Sequence, residues 1–260
     1  TSQRIPAVEQ PSPSVEPSVS PEPSLSPSPA SGEDLGLGFR LCYPQALEGI
    51  DWYGEGVSGT AWTGSRATPD GRCPEENNGE YIVVADLNGD GVAEPGGIGF
   101  LAHCLLCRPY AAADLDGDGV LELVVLEEAS STQSYSFFEV SRPTSERSPG
   151  IYNLFVAPPG HPEARVNPGE PLRIDSGGDE GYSAQIRCLW NGPEGRELGW
   201  AWSLEPVDAA GEKEVHVLRI QLHDDGLFHV VGVEEYSVPA GASTGLEPPP
   251  APTCGVDWNP

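Results

Sequence analysis

Two nine-residue segments with one grammar constrain this chain more than anything else in it. The first reads Asp86-Leu-Asn88-Gly-Asp90-Gly91-Val92-Ala-Glu94 and the second Asp114-Leu-Asp116-Gly-Asp118-Gly119-Val120-Leu-Glu122. Both follow D-x-[DN]-x-D-G-x-x-E. Oxygen-bearing side chains at positions 1, 3 and 5 wrap one side of a cation, and the glycine at position 6 permits the sharp turn. A backbone carbonyl at position 7 adds a neutral ligand, and the acid at position 9 closes the shell. So many hard oxygen donors suit Ca²⁺ over zinc or copper, and Mg²⁺ demands a smaller and stricter octahedron.

An EF-hand needs its closing Glu at position 12, where this chain has Gly97 and Val125. The flanks, Ile82-Val83-Val84 and Leu123-Val124-Val125, favour strands over helices. A plain Asp-Gly hairpin turn explains one D-G-D-G well, but not two full matches.

The two loops resemble the calcium loops of the FG-GAP/VCBS repeats of integrin α-chain β-propellers. The matching stretches are 84–94 and 113–125, and the resemblance covers about residues 81–128. It implies one Ca²⁺ held by Asp86, Asn88, Asp90, the Val92 carbonyl and Glu94. A second would be held by Asp114, Asp116, Asp118, the Val120 carbonyl and Glu122. The closing residue is usually Asp in that family and is Glu here, which reaches further. More widely, the resemblance extends to exported or anchored bacterial proteins that carry such a pair of loops behind a Pro-rich leader.

Around the loops the texture is β. Short apolar segments fall at 81–85, 98–102, 121–126, 135–140, 152–156, 215–220 and 227–233, punctuated by Gly, Pro, Asn and Asp. No amphipathic run of helical length occurs. The expected fold is all-β, built of antiparallel meander sheets in a partial propeller-like or sandwich arrangement, with at most a turn or two of helix. The loops recur after 28 positions (86 to 114), too short for a four-stranded blade of about 40–45 residues. A simple meander through both loops predicts that they share one sheet edge. Their ions would then lie about 9–10 Å apart, twice the interstrand spacing.

Residues 1–35 are dominated by Pro, Ser and Glu and have almost nothing to bury, so a disordered, extended tether is expected. The body is expected over 36–240, and residues 241–260 form a Pro-rich tail pinned by Cys254. Six cysteines fit an oxidising compartment and a processed, exported chain. They allow about 15 pairings; sequence proximity suggests Cys42 with Cys73, Cys188 with Cys254 and Cys104 with Cys107. A zinc ribbon would need a second CxxC, which is absent.

Charge narrows the partners. With 40 Asp and Glu against 13 Lys and Arg, the net charge is -27. That excludes a cationic face for nucleic acid or for an anionic membrane surface, and no segment approaches the ~20 apolar residues of a spanning helix. The histidines are scattered, and no HExxH, G-x-S-x-G or phosphate loop occurs, so no catalytic residue is assigned. The expected role is an extracellular calcium-binding interaction module, tethered to a membrane or wall and engaging protein or glycan. A secreted hydrolase of polysaccharide or peptide, with two pocketed carboxylates near Trp52 or Trp202, and a structural envelope component are the alternatives. The tryptophans, Trp200 and Trp202 on one strand face among them, are candidates for stacking on sugars.

Overall fold

The computed structural model describes residues 32–75, 80–101, 104–129, 131–144, 147–158, 167, 169–179, 182–190, 196–204, 211–223, 225–239, 242 and 256. The Pro/Ser-rich segment 1–31, the Pro-rich stretch 247–252 and Cys254 lie outside the described residues. Every described element is a strand, so the all-β expectation holds.

The first sheet is a five-stranded antiparallel meander in sequence order: β1 (Glu33–Asp34), β2 (Arg40–Ile50), β3 (Gly59–Arg66), β4 (Tyr81–Asp86) and β5 (Gly99–Leu101). Because β1 pairs with β2, the ordered body already includes residues 33 and 34 of the segment expected as tether. The second sheet has ten strands. These are β6 (Arg108–Ala113), β7 (Glu122–Ala129), β8 (Thr132–Ser141), β9 (Gly150–Asn153), β10 (Phe155–Val156), β11 (Arg173–Asp179), β12 (Tyr182–Trp190), β13 (Arg196–Leu204), β14 (Glu212–Leu222) and β15 (Leu227–Pro239). Their order is β10-β15-β14-β13-β12-β11-β8-β7-β6, and β9 pairs with the second half of β8. Among the described strand pairs, only β10 with β15 is parallel.

Strand β7 shows how the two sheets are organised. Successive side chains on a strand point to opposite faces. Leu123 and Val125 join a core between the sheets, with Val83, Ala85, Leu101, Phe138 and Ile151. Val124 and Leu126 point the other way, into a second core with Phe137, Ile174, Ile186, Leu218 and Phe228. All four residues of this run are fully buried, which is why they read as an unbroken apolar stretch rather than an alternation. The second core draws only on the large sheet and the segments around it, so that sheet curls over on itself without closing into a barrel. Val256 also packs there, bringing the C-terminal tail back to the body.

The expected single meander through both loops does not form. β4 and β5 belong to the first sheet and β6 and β7 to the second, so the loops lie on different sheets. The physical reason is apolar burial. The inward faces of β4 and β7 cover each other across the inter-sheet core, whereas side by side in one sheet both would need another cover. The crossover is the Cys104–Cys107 segment, closed by a disulfide. There the Thr63 hydroxyl of β3 donates to the Cys107 carbonyl. Close approach also needs small residues: a Cβ on Gly150 would lie 2.3 Å from the Gly97 amide nitrogen.

Cys42 and Cys73 are bonded as expected, tying β2 to the segment after β3. Cys188 is also disulfide-bonded, and no described cysteine is free.

Phe138 is fully buried between the sheets, whereas Phe100 is 49% exposed. Phe138→Ala should therefore cost about 3–5 kcal/mol in urea unfolding, and Phe100→Ala less than about 1 kcal/mol. Equal effects would contradict the inter-sheet placement of Phe138.

Candidate metal centres

Each loop starts where a strand runs out. At the end of β4, Asp86 is buried and its carboxylate folds back over the turn. Oδ1 accepts the amides of Asn88 (3.1 Å) and Gly89 (2.6 Å), and Oδ2 that of Gly91 (2.8 Å). Asn88 Oδ1 accepts the Asp90 amide and Asp90 Oδ1 that of Val92, both at 2.9 Å. Side chains at positions 1, 3 and 5 thus each bond backbone further along the loop. Gly89 and Gly91 adopt φ of 77° and 82°, the left-handed region that such a coil requires. The Glu94 amide returns to the Ala85 carbonyl (2.7 Å), and Glu94 Oε1 accepts the Asn88 side-chain amide (3.0 Å).

The second loop repeats the coil between β6 and β7. Asp114 Oδ1 accepts the Gly117 amide (2.5 Å), Asp116 Oδ1 that of Asp118 (3.0 Å), and Asp118 Oδ1 that of Val120 (2.6 Å). Gly117 and Gly119 have φ of 93° and 85°. Glu122, the first residue of β7, is buried with the strand it begins, and its Oε2 accepts the Leu115 amide at 2.6 Å. Arg196 of β13 reaches over the loop. Its guanidinium donates to the Asp114 carbonyl and lies 3.4 Å from the Asp114 carboxylate.

Here the expected ligands converge. Carboxylate oxygens of Asp114, Asp116 and Glu122 lie within 4.8 Å of one another, the span of a group that could hold one metal ion. Asp118 stands beside them on the wall of a cavity of about 280 Å³. That cavity is completed by Glu139 and Val140 of β8 and by Leu222, His223 and Gly226 at the β14–β15 turn. Among the described residues, Asp86, Asp90 and Glu94 of the first loop form no such trio. Asn88 stands between them and is already bonded to Glu94. A second convergent group exists that the sequence reading missed: Glu214 and His216 of β14 with Glu235 of β15. Its only sequence signal is the Glu-x-His spacing on a strand, which puts both residues on one face.

Three of the six tryptophans present no open face for sugar stacking. Trp52, Trp62 and Trp202 are buried. Trp52 Nε1 donates to the Asp86 carbonyl (2.9 Å), and its own carbonyl accepts the Leu121 amide (3.0 Å).

Electrostatics at the second loop are severe. Burial, reinforced by the charges of Asp116, Asp118 and Asp114, pushes the Glu122 carboxyl up to about 9. Burial, reinforced by the charges of Asp118 and Asp114, pushes Asp116 up to about 6. Burial, then Asp90 and Asp86, raises Glu94. Without a cation, the folded chain holds a proton on Glu122 between about pH 4.5 and 9 that the unfolded chain has released. Stability conferred by that proton is full below about 4.5 and is lost as pH rises through the folded value. In chelator, the melting temperature should therefore fall from about pH 5 to about pH 9, and Glu122→Gln should flatten the slope. An unchanged slope in that variant would place the titration elsewhere.

No protein-family model matches the chain, and no curated protein or solved structure is significantly similar to it.

Proposed function

We propose that this chain is an exported, Ca²⁺-braced interaction module of the FG-GAP/VCBS kind, held away from an envelope by its Pro/Ser-rich segment and engaging a protein or glycan. The observation that carries the reading is the convergence of Asp114, Asp116 and Glu122, with Glu122 buried. A buried carboxylate beside three others is costly unless a cation neutralises it. An all-oxygen donor set selects a hard ion, and a loop of this length and glycine content accommodates the larger shell of Ca²⁺ more readily than that of Mg²⁺. The first loop shares the motif and the hydrogen-bond ladder and takes the second ion, with Asn88 replacing one carboxylate. The disulfides fit an oxidising compartment.

The cavity beside the second loop supplies the place for a ligand. Loop carboxylates form one wall, and β8 and the β14–β15 turn form the other. Ordering the loop around an ion fixes that wall, so partner binding depends on calcium. Screening glycans and envelope proteins with and without chelator tests this. Silence across both classes, or binding indifferent to chelator, would remove the interaction reading.

Extracellular loop sites hold Ca²⁺ at about 10⁻⁴–10⁻³ M. At about 10 mM Ca²⁺ one such site then stabilises the fold by roughly 1.4–2.7 kcal/mol. For a body of this size that is several degrees of melting temperature, at about 2–4 °C per kcal/mol. Calorimetry should show that shift. Asp90→Ala and Asp118→Ala should each remove part of it, and the double variant all of it. Identical melting curves in calcium and in excess chelator would defeat the metal assignment.

A further inference from the structure

Glu214, His216 and Glu235 lie on the face of β14 and β15 that carries the large core, at its margin. His216 stands directly opposite Glu235 in the strand register, and Glu214 is two residues back on the same face. Glu235 Oε1 is 3.0 Å from His216 Nδ1, and Glu214 Oε2 is 3.8 Å from Nε2. The second separation is too long for a hydrogen bond but shorter than two metal–ligand bonds of about 2.0–2.2 Å end to end.

We propose that these three residues form a site for a divalent transition ion of the Zn²⁺ class, separate from the two acidic loops. One donor atom from each lies within 4.8 Å of the others. An imidazole nitrogen with two carboxylates suits Zn²⁺, Co²⁺ or Ni²⁺, whereas Ca²⁺ favours an all-oxygen shell.

The imidazole is fixed. Its ring is buried and stacks on Trp202, with centroids 5.4 Å apart and planes 19° apart. The carboxylates are free to close on an ion, with side chains 65% and 51% exposed. Among the described residues neither has a Lys or Arg partner, so two negative charges share one imidazole. A simple imidazolium ion pair would leave this arrangement with one uncompensated negative charge, and a divalent cation removes it. The site is also remote from the second loop. Leu222, at the cavity, lies six positions beyond His216 on β14, about 20 Å along a strand.

Trp202 is a built-in reporter, because an open-shell ion on His216 quenches an indole stacked against that ring. Ni²⁺ is titrated into the full chain in saturating Ca²⁺ while tryptophan emission is followed, and excess Zn²⁺ is then added. The expected result is saturable quenching that Zn²⁺ reverses. His216→Gln should abolish it. The double variant Glu214→Gln/Glu235→Gln, which leaves the core side chains in place, should weaken it at least about tenfold. Melting curves in calcium confirm that each variant is folded. Glu122→Gln should leave the quenching unchanged. The rings of His223 and His229 lie 4.2 Å apart and offer the competing imidazole pair. Quenching that vanishes in His223→Gln/His229→Gln, that survives loss of both carboxylates, or that never saturates would overturn the proposal.

Discussion

Trp52 is the joint on which both loops hang. Its indole N–H holds the carbonyl of Asp86, the first residue of one loop, and its own carbonyl holds the amide of Leu121, next to the closing Glu122 of the other. The ring is fully buried in the core between the sheets. Both bonds are made inside that core, where an unpaired amide or carbonyl is expensive, so the geometry of one loop is not independent of the other. Gly59 makes the joint possible, because a Cβ there would lie 2.2 Å from the Asp86 carbonyl oxygen and 2.6 Å from the indole nitrogen. The loops belong to different sheets and yet share a single fastening.

The buried position of Glu122 follows from the same packing. β7 is buried on both faces from Leu123 to Leu126, so the residue that starts it is carried inside as well. The Leu115 amide answers one of its oxygens. What remains is an excess of negative charge: among the described residues, the guanidinium of Arg196 stands beside Asp114 in a cluster of four carboxylates. An acidic chain can keep such a position either by holding a proton or by holding a cation. The first option stores instability that grows with pH, and the second converts the same carboxylates into an ion-dependent brace.

Much of this was legible in the sequence, and the reasons for the rest are specific. The apolar run 215–220 falls inside β14 and all of 121–126 but Leu121 inside β7, because strands with buried faces announce themselves by hydrophobic density. β2 is not readable that way. Its eleven residues include Pro44 and a glycine, and the register slips between Cys42 and Gln45. Pro44 sits in that bulge beside Tyr43, whose φ is 52°. The Cys42–Cys73 disulfide and the Tyr43 hydroxyl, donating to the Pro74 carbonyl, fasten the irregular stretch from outside. β11 likewise reads as a turn, since Asp175-Ser-Gly-Gly is held in a strand by its pairing with β8 on one side and β12 on the other. Local sequence marked the two turns and their left-handed glycines but not which sheet each loop would join, because that choice depends on distant apolar faces meeting.

The same distinction separates the two kinds of convergent group. A loop motif is local: nine consecutive residues contain the donors, the glycines and the turn, and a sequence shows all of them at once. The Glu214, His216 and Glu235 group is tertiary, since it needs β14 and β15 to pair with His216 opposite Glu235. That register is not the one a regular hairpin would extend from the turn, because the ladder slips between Arg219 and Ile220. Before the slip, His216 pairs with Glu235; after it, Ile220 pairs with Val230. If the ladder beyond Ile220 continued without the bulge, His216 would instead face Glu234. The side chain of Glu234 would then take the ring's face and Glu235 the other. Glu234 is itself an acid, so composition at this point cannot distinguish the two registers, and only the bulge decides which carboxylate meets the imidazole.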